Sequence, residues 1–408
     1  MTWFFGWTVV RAAFVLALFG WGVGFYGPPV FLHAVQVRTG WPVAAVSAAV
    51  TLHFLVGALV VANLPRLHRR FGVPAVTTGG SLLLALGVGG WAVAAEPWHL
   101  IAATLLSGAG WVTMGAAAVN AVLAPWFVAR RPAALAMAYN GASLGGVVFS
   151  PLWVAAIAGW GFPAAAAAVG VVMVAVVAML SARVFRLTPA ALGQHSDGGA
   201  PPAAAAAVET AAPLPAGGIW RDGRFATLTG AMALTLFAQI GLLAHLVSVL
   251  APVLGAQEAG LLAGLATALA IAGRTLVGWL LPAGADRRLA AAASLAVQIA
   301  GSLVLAAAAG SLPLLVAGVA LFGFGIGNAT SLPPLVAQQE FRRADCLRAV
   351  ALMVATAQAA YAFAPAAFGL LRGGSDGNAA LFLAAAAVQA VAVVVLLGGR
   401  ALRVRAAA

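Results

Sequence analysis

The sequence predicts an all-α membrane protein: twelve transmembrane helices in two pseudo-symmetric six-helix bundles. Three observations carry this. Hydrophobic residues make up 63% of the 408 and charged residues only 7%, with a mean hydropathy of +1.05. A water-soluble domain carries about 25% charged residues, so the chain lacks the polar surface of a soluble enzyme or a disordered protein. The apolar residues come in long runs, and a helix needs about 20 of them to cross a bilayer. The runs fall into two sets of six, parted by a segment of different composition.

Taken in order, the runs predict helices over 7–32, 43–65, 74–95, 98–127, 133–158 and 162–184. Six more follow over 224–251, 258–281, 288–309, 312–338, 345–371 and 379–398. Residues 1–184 are the N-terminal bundle and 224–408 the C-terminal bundle. Between them, 185–223 contains LTPAALGQHSDGGAPPAAAAAVETAAPLPAGG, which has no apolar period and predicts a flexible cytoplasmic linker. Arg11 interrupts the first run and no small-residue cleavage site follows, so a cleavable signal is not expected. Pro28-Pro29, Pro151, Pro333-Pro334 and Pro365 fall within or near helix ends, where they predict kinks.

The chain has no lysine, and its 21 basic residues are all arginine, giving a net charge of +12. A nucleic-acid partner is excluded by position, because the arginines sit in short turns between apolar runs. With the N-terminus inside, seventeen arginines face the cytoplasm. Arg38 and Arg372 fall outside, and Arg11 and Arg274 lie within helices. Cytoplasmic loops are enriched in Arg and Lys, so both termini are expected in the cytoplasm. The expected location is the inner membrane of a bacterium, as a multi-pass monomer in the lipid bilayer. The single cysteine, Cys346, allows no intramolecular disulfide. With no phosphate-binding loop and no Cys/His cluster, no cofactor and no metal are expected.

The two halves repeat. Phe127 is followed by Arg130-Arg131 and, 24 residues on, by Pro151; Phe341 is followed by Arg342-Arg343 and, 24 residues on, by Pro365. Gly108-Ala-Gly110 precedes the first block as Gly323-Phe-Gly325 precedes the second. Repeated bundles are typical of transporters that bind substrate near the bilayer midplane.

Two six-helix sets, a cytoplasmic linker and short basic turns resemble the major facilitator superfamily over essentially the whole chain. Within it, several stretches look like the monocarboxylate and oxalate–formate transporter branch. These are Gly6-Trp7 with Val9-Val10, Gly40-Trp41-Pro42 opening helix 2, Arg131 to Gly146 leading into helix 5, and Gly273-Arg274 with Gly278-Trp279 in helix 8. The superfamily's loop between helices 2 and 3 usually reads Gly-x-x-x-Asp-Arg-x-Gly. Here Pro65 and Arg69 replace the Gly and the Asp, while Arg70 and Gly72 remain; the second half keeps Asp286-Arg287-Arg288.

Arg274 stands about seven residues from the cytoplasmic end of helix 8. A charge at the centre of a membrane helix costs about 2.5–3.5 kcal/mol on insertion scales and marks a functional site by default. The nine acids all lie in turns, in the linker or near helix ends. Arg274 therefore has two candidate roles. Its guanidinium clamps a substrate carboxylate through two parallel hydrogen bonds, the job of an arginine in this context in the similar carboxylate transporters. Otherwise it is structural, snorkelling to the cytoplasm or reaching Asp286.

His245 in helix 7 and His53 in helix 2 are candidates for carrying a coupled proton, against neutral imidazoles bonded within the bundle. Polar cavity candidates are Asn120, Tyr139, Asn140, Asn328, Gln358 and Tyr361, with Ser143 and Gln239, against polar groups that merely tie helices together. The resemblance adds a negative point. The oxalate exchanger has a second cation in helix 11, where this chain reads ATAQAAYAFAP, which favours a monoanion.

The expected function is secondary active transport of a small organic anion, monocarboxylate-like, by alternating access, with a proton as the candidate co-substrate. The alternatives are a drug or metabolite efflux transporter of the same fold and, from another class, a non-transporting membrane sensor or membrane enzyme. An exporter of cations is expected to show a membrane-embedded acid. An enzyme is expected to show a catalytic constellation. Neither is in the sequence.

Overall fold

The structure, a computed structural model, describes residues 4–128, 130–199, 218–282, 285–372 and 378–407. Of the linker, residues 200–217 lie outside the described residues. Among the described residues, twelve helices are long and apolar enough to span a membrane. The first six are α1 (Gly6–Thr39), α2 (Val43–Phe71), α3 (Val73–Val93), α4 (Pro97–Leu123), α5 (Ala133–Trp160) and α6 (Phe162–Phe185). After the linker come α7 (Gly223–Leu254), α8 (Ala256–Leu280), α9 (Arg287–Ala307), α10 (Leu312–Glu340), α11 (Ala349–Leu371) and α12 (Ala379–Leu402). No strand occurs among the described residues. Large apolar side chains lie open on the outer surface, among them Trp279 at 84% and Val394 at 71% exposure. So much open apolar area is stable against lipid rather than water. The chain is a multi-pass integral membrane protein.

Several helix ends differ from the sequence expectation, for local reasons. α1 continues past residue 32 to Thr39 and stops at Gly40, whose φ of 69° places it in the left-handed region open to glycine. α2 runs through Pro65 to Phe71, and His68, Arg69 and Arg70 occupy its last turn, where positive charge suits the helix dipole. Four spans are interrupted. α1 breaks between Gly24 and Gly27, and α4 passes through a 3-10 turn at Val112–Met114. α10 breaks at Gly327, and α11 breaks after Tyr361, just before Pro365.

The chain divides into two compact units, each with its own core. One comprises Met1–Pro42, Ala48–Ala205 and Ala256–Gly264; the other comprises Val43–Ser47, Ala206–Gly255 and Leu265–Ala408. Their packing repeats. Gly108 sets α4 against the His53 carbonyl of α2, and Gly323 sets α10 against the Ala266 carbonyl of α8. Two residues on, Gly110 meets the backbone of α3 at Gly80 and Leu84, and Gly325 meets α9 at Ser294 and Gln298. A side chain at any of these glycines would collide with the neighbouring helix, the close approach that small residues allow in membranes.

The arginine-rich end of each half is pinned by carboxylates. In the first, Asp197 accepts from the backbone N–H of Val128 and Arg130, closing the turn between α4 and α5. In the second, Arg288 and Glu340 are fully buried and pair through both carboxylate oxygens at 2.7 and 2.8 Å. Arg288 also donates to the carbonyls of Leu396 and Arg224. One guanidinium thus ties α7, α9, α10 and α12. Asp222 caps α7, and Asp286 caps α9 while accepting from Arg400 Nε at 2.7 Å.

Candidate functional site

Arg274 lies on α8 where that helix passes the break in α10. Gly327 has no side chain there because a Cβ would strike the Ala270 carbonyl and Arg274 Cβ. Arg274 is half-buried, and its Nε donates to the Gly327 carbonyl oxygen at 3.0 Å. A bond through Nε fixes the plane of the guanidinium. The carboxylate of Asp286 is engaged by Arg400 and by the N–H groups of Arg288 and Leu289.

In the first half, Asn120 Oδ1 accepts from Arg131 at 2.6 Å, linking α4 to the start of α5. Tyr139 donates to the Ala116 carbonyl at 3.2 Å and meets Trp21 edge-on at 6.2 Å. Asn140 is exposed and Ser143 is buried. Arg131 was grouped in the sequence with the topology-setting charges; its bond to Asn120 places it among the polar groups of this half.

The two histidines are held differently. Pro28 has no N–H, so the Gly24 carbonyl cannot receive its usual helical bond. His53 supplies it, with Nε2 2.9 Å from the Gly24 oxygen and Nδ1 2.9 Å from Ser107 Oγ. A carbonyl only accepts, so Nε2 carries the proton. His245 Nε2 likewise donates to the Pro365 carbonyl at 2.9 Å. Its Nδ1 faces Arg372 at 3.4 Å, and Arg372 also binds Ser248 Oγ at 2.6 Å. Arg372 joins α7 to the end of α11. Arg38, near the end of α1, donates to the Trp91 carbonyl.

A buried amide network crosses the second half. Gln239 and Gln389 donate to Gln298 Oε1 at 2.8 and 3.5 Å, Gln298 donates to the Gly325 carbonyl, and Ser302 donates to Gln389. Of these, the sequence singled out only Gln239. The signal for the others is one amide in the middle of each otherwise apolar run. Asn328 is buried beside the network, while Gln358 and Tyr361 are half-buried on α11. Among the described residues no cluster of three His, Cys, Asp or Glu side chains is placed to hold a metal.

Residues 12–365 match the Major Facilitator Superfamily. The chain belongs to that superfamily. It is similar in structure to the nucleoside transporter NupG, at 12% identity and a TM-score of 0.73, over 96% of this chain and 99% of that one. It is also similar to a bacterial homolog of the human lysosomal transporter Spinster in an inward-facing, occupied conformation. There the identity is 13% and the TM-score 0.69, over 98% of this chain and 96% of that one. The unoccupied form of that homolog matches at 14% identity and a TM-score of 0.65, over 97% and 96%. At these identities the likeness is one of fold. No curated protein sequence matches the chain. As a member of the superfamily it is a membrane transporter and not an enzyme, and its substrate is a small molecule bound within the membrane.

Proposed function

We propose that this transporter moves a small organic anion of the monocarboxylate class by alternating access, and that Arg274 recognises the carboxylate. The observation that carries this is a half-buried arginine inside a membrane span, anchored through Nε at the break of a neighbouring helix. That anchoring suits a planar fork for a two-oxygen ligand. Gln358 and Tyr361 of α11, in the same half as Arg274, are proposed to shape the rest of the substrate surface, and Asn120, Tyr139 and Asn140 are proposed as substrate contacts of the first half.

A coupled proton, in this proposal, is carried by His245 and not by His53. His53 is fixed as the donor to a carbonyl that Pro28 leaves open. Protonating His245 at Nδ1 sets an N–H against the Arg372 guanidinium, which only donates, and so loosens the tie between α7 and α11. The arginine-rich ends are proposed to face the cytoplasm of a bacterium, which single cysteines in a Cys346→Ser background report by labelling from one side.

The test is uptake of radiolabelled monocarboxylates, dicarboxylates and nucleosides into proteoliposomes, with and without a proton gradient. Monocarboxylate uptake that collapses in Arg274→Ala is expected. Uptake of neutral nucleosides with no response to any carboxylate overturns the proposal.

A further inference from the structure

The break in α10 exposes polar groups to the interior of the second half. Pro333 and Pro334 lack N–H groups, so the carbonyls of Ala329 and Thr330 cannot receive the usual helical bond. Asn328, just beyond the break, is 2% exposed. Neither Oδ1 nor Nδ2 of its amide has a hydrogen-bond partner among the described residues. A cavity of about 20 Å³ adjoins it, and Thr235, Ser294, Gln298, Asn328, Ala329 and Met232 are among its lining residues.

We propose that this cavity is a binding site for one internal water molecule, gripped by both ends of the Asn328 amide. A cavity needs about 10–15 Å³ to hold a water, and the water needs two to four polar partners. This one has that space. An amide with a free donor and a free acceptor matches a molecule that both donates and accepts. The Ala329 carbonyl and the hydroxyls of Thr235 and Ser294 are further partners. Gln298 is already engaged by Gln239, Gln389 and the Gly325 carbonyl, so Asn328 is the gripping residue. A monovalent cation fits poorly. No carboxylate lines the cavity, and Glu340 of the same helix is closed off by Arg288. The water replaces helical bonds that α10 forfeits, so α10 can flex at Gly327 without baring an unsatisfied amide.

Hydroxyl-radical footprinting of the intact protein tests this, because radicals formed from a bound water attack the nearest thioether. Met232 lines the cavity at 4% exposure; Met353, in the same half at 1%, does not. Oxidation of Met232 several-fold above Met353 is expected, falling to the Met353 level in Asn328→Leu. Equal oxidation of the two methionines in the wild-type protein overturns the proposal, whether or not the variant folds. So does protection of Met232 by sodium or potassium relative to choline, which assigns the site to a cation.

Discussion

Arg274 Nε donates to the Gly327 carbonyl oxygen at 3.0 Å, so the interior arginine of α8 is tied to the break in α10. The tie depends on a glycine at 327. Gly327→Ala drives a methyl group into the Ala270 carbonyl and Arg274 Cβ. Overpacking of this kind costs about 1–3 kcal/mol. Gly278→Ala, on α8 with open space around it, is the control. Melting of the detergent-solubilised protein is expected to fall for the first and hold for the second.

His53 and His245 separate by pH. Removing His53 strands the Gly24 carbonyl, while Ser107 keeps Trp91 Nε1 and the Thr104 carbonyl; a buried unsatisfied group costs about 1–3 kcal/mol. His53→Ala is therefore expected to melt lower while keeping the wild-type pH dependence of uptake. His245→Gln is expected to flatten that dependence. Uptake measured as a function of pH decides. A flat profile in the His53 variant reverses the assignment.

The Arg288–Glu340 pair is fully buried, so removing one partner leaves a bare charge. Glu340→Ala is expected to destabilise by about 3–5 kcal/mol, and the double variant Arg288→Met/Glu340→Leu to recover most of it. Equal melting of the Glu340→Ala protein and wild type contradicts this.

Asp222 adds a pH signature outside the membrane. Burial works against its charge, but bonds from the Arg224 side chain and from the backbone N–H groups of Arg224 and Phe225 outweigh it. Its carboxyl is thereby held below the ordinary value of 3.8. A depressed carboxylate stabilises the fold above its ordinary value and loses that contribution as pH falls through the lowered one. Asp222→Ala removes an N-cap worth about 0.5–2 kcal/mol. The difference from wild type is expected to be constant near neutrality and to close in acid, as thermal melts across pH show.

Much of the fold is legible in the sequence because scarcity of charge and run length suffice to mark membrane spans. The register of Phe127 with Phe341 and of Pro151 with Pro365 announces the repeat that Gly108 and Gly323 then build in packing. The site is less legible. The role of His53 depends on a carbonyl 29 residues away that Pro28 leaves open. Gln298 and Gln389 lie 91 residues apart, and each alone looks like a minor polar residue in an apolar run. Helix 2 reads as ending at Pro65, yet it continues to Phe71, because charge in the last turn and the surrounding packing outweigh one lost hydrogen bond.

Arg274 is the centre of the account, and thermal melting with and without substrate tests it most directly. A monocarboxylate taken up by the wild-type protein is expected to raise its melting temperature. Arg274→Ala is expected to fold and to lose that rise. Arg274→Lys is expected to keep little of it, since an ammonium lacks the planar fork. A purely structural arginine predicts a lower melting point for Arg274→Ala without substrate, recovered by exchanging charges with Asp286. If Arg274→Ala keeps the full substrate-induced rise, the carboxylate is not bound by Arg274, and the assignment to organic anions falls with it.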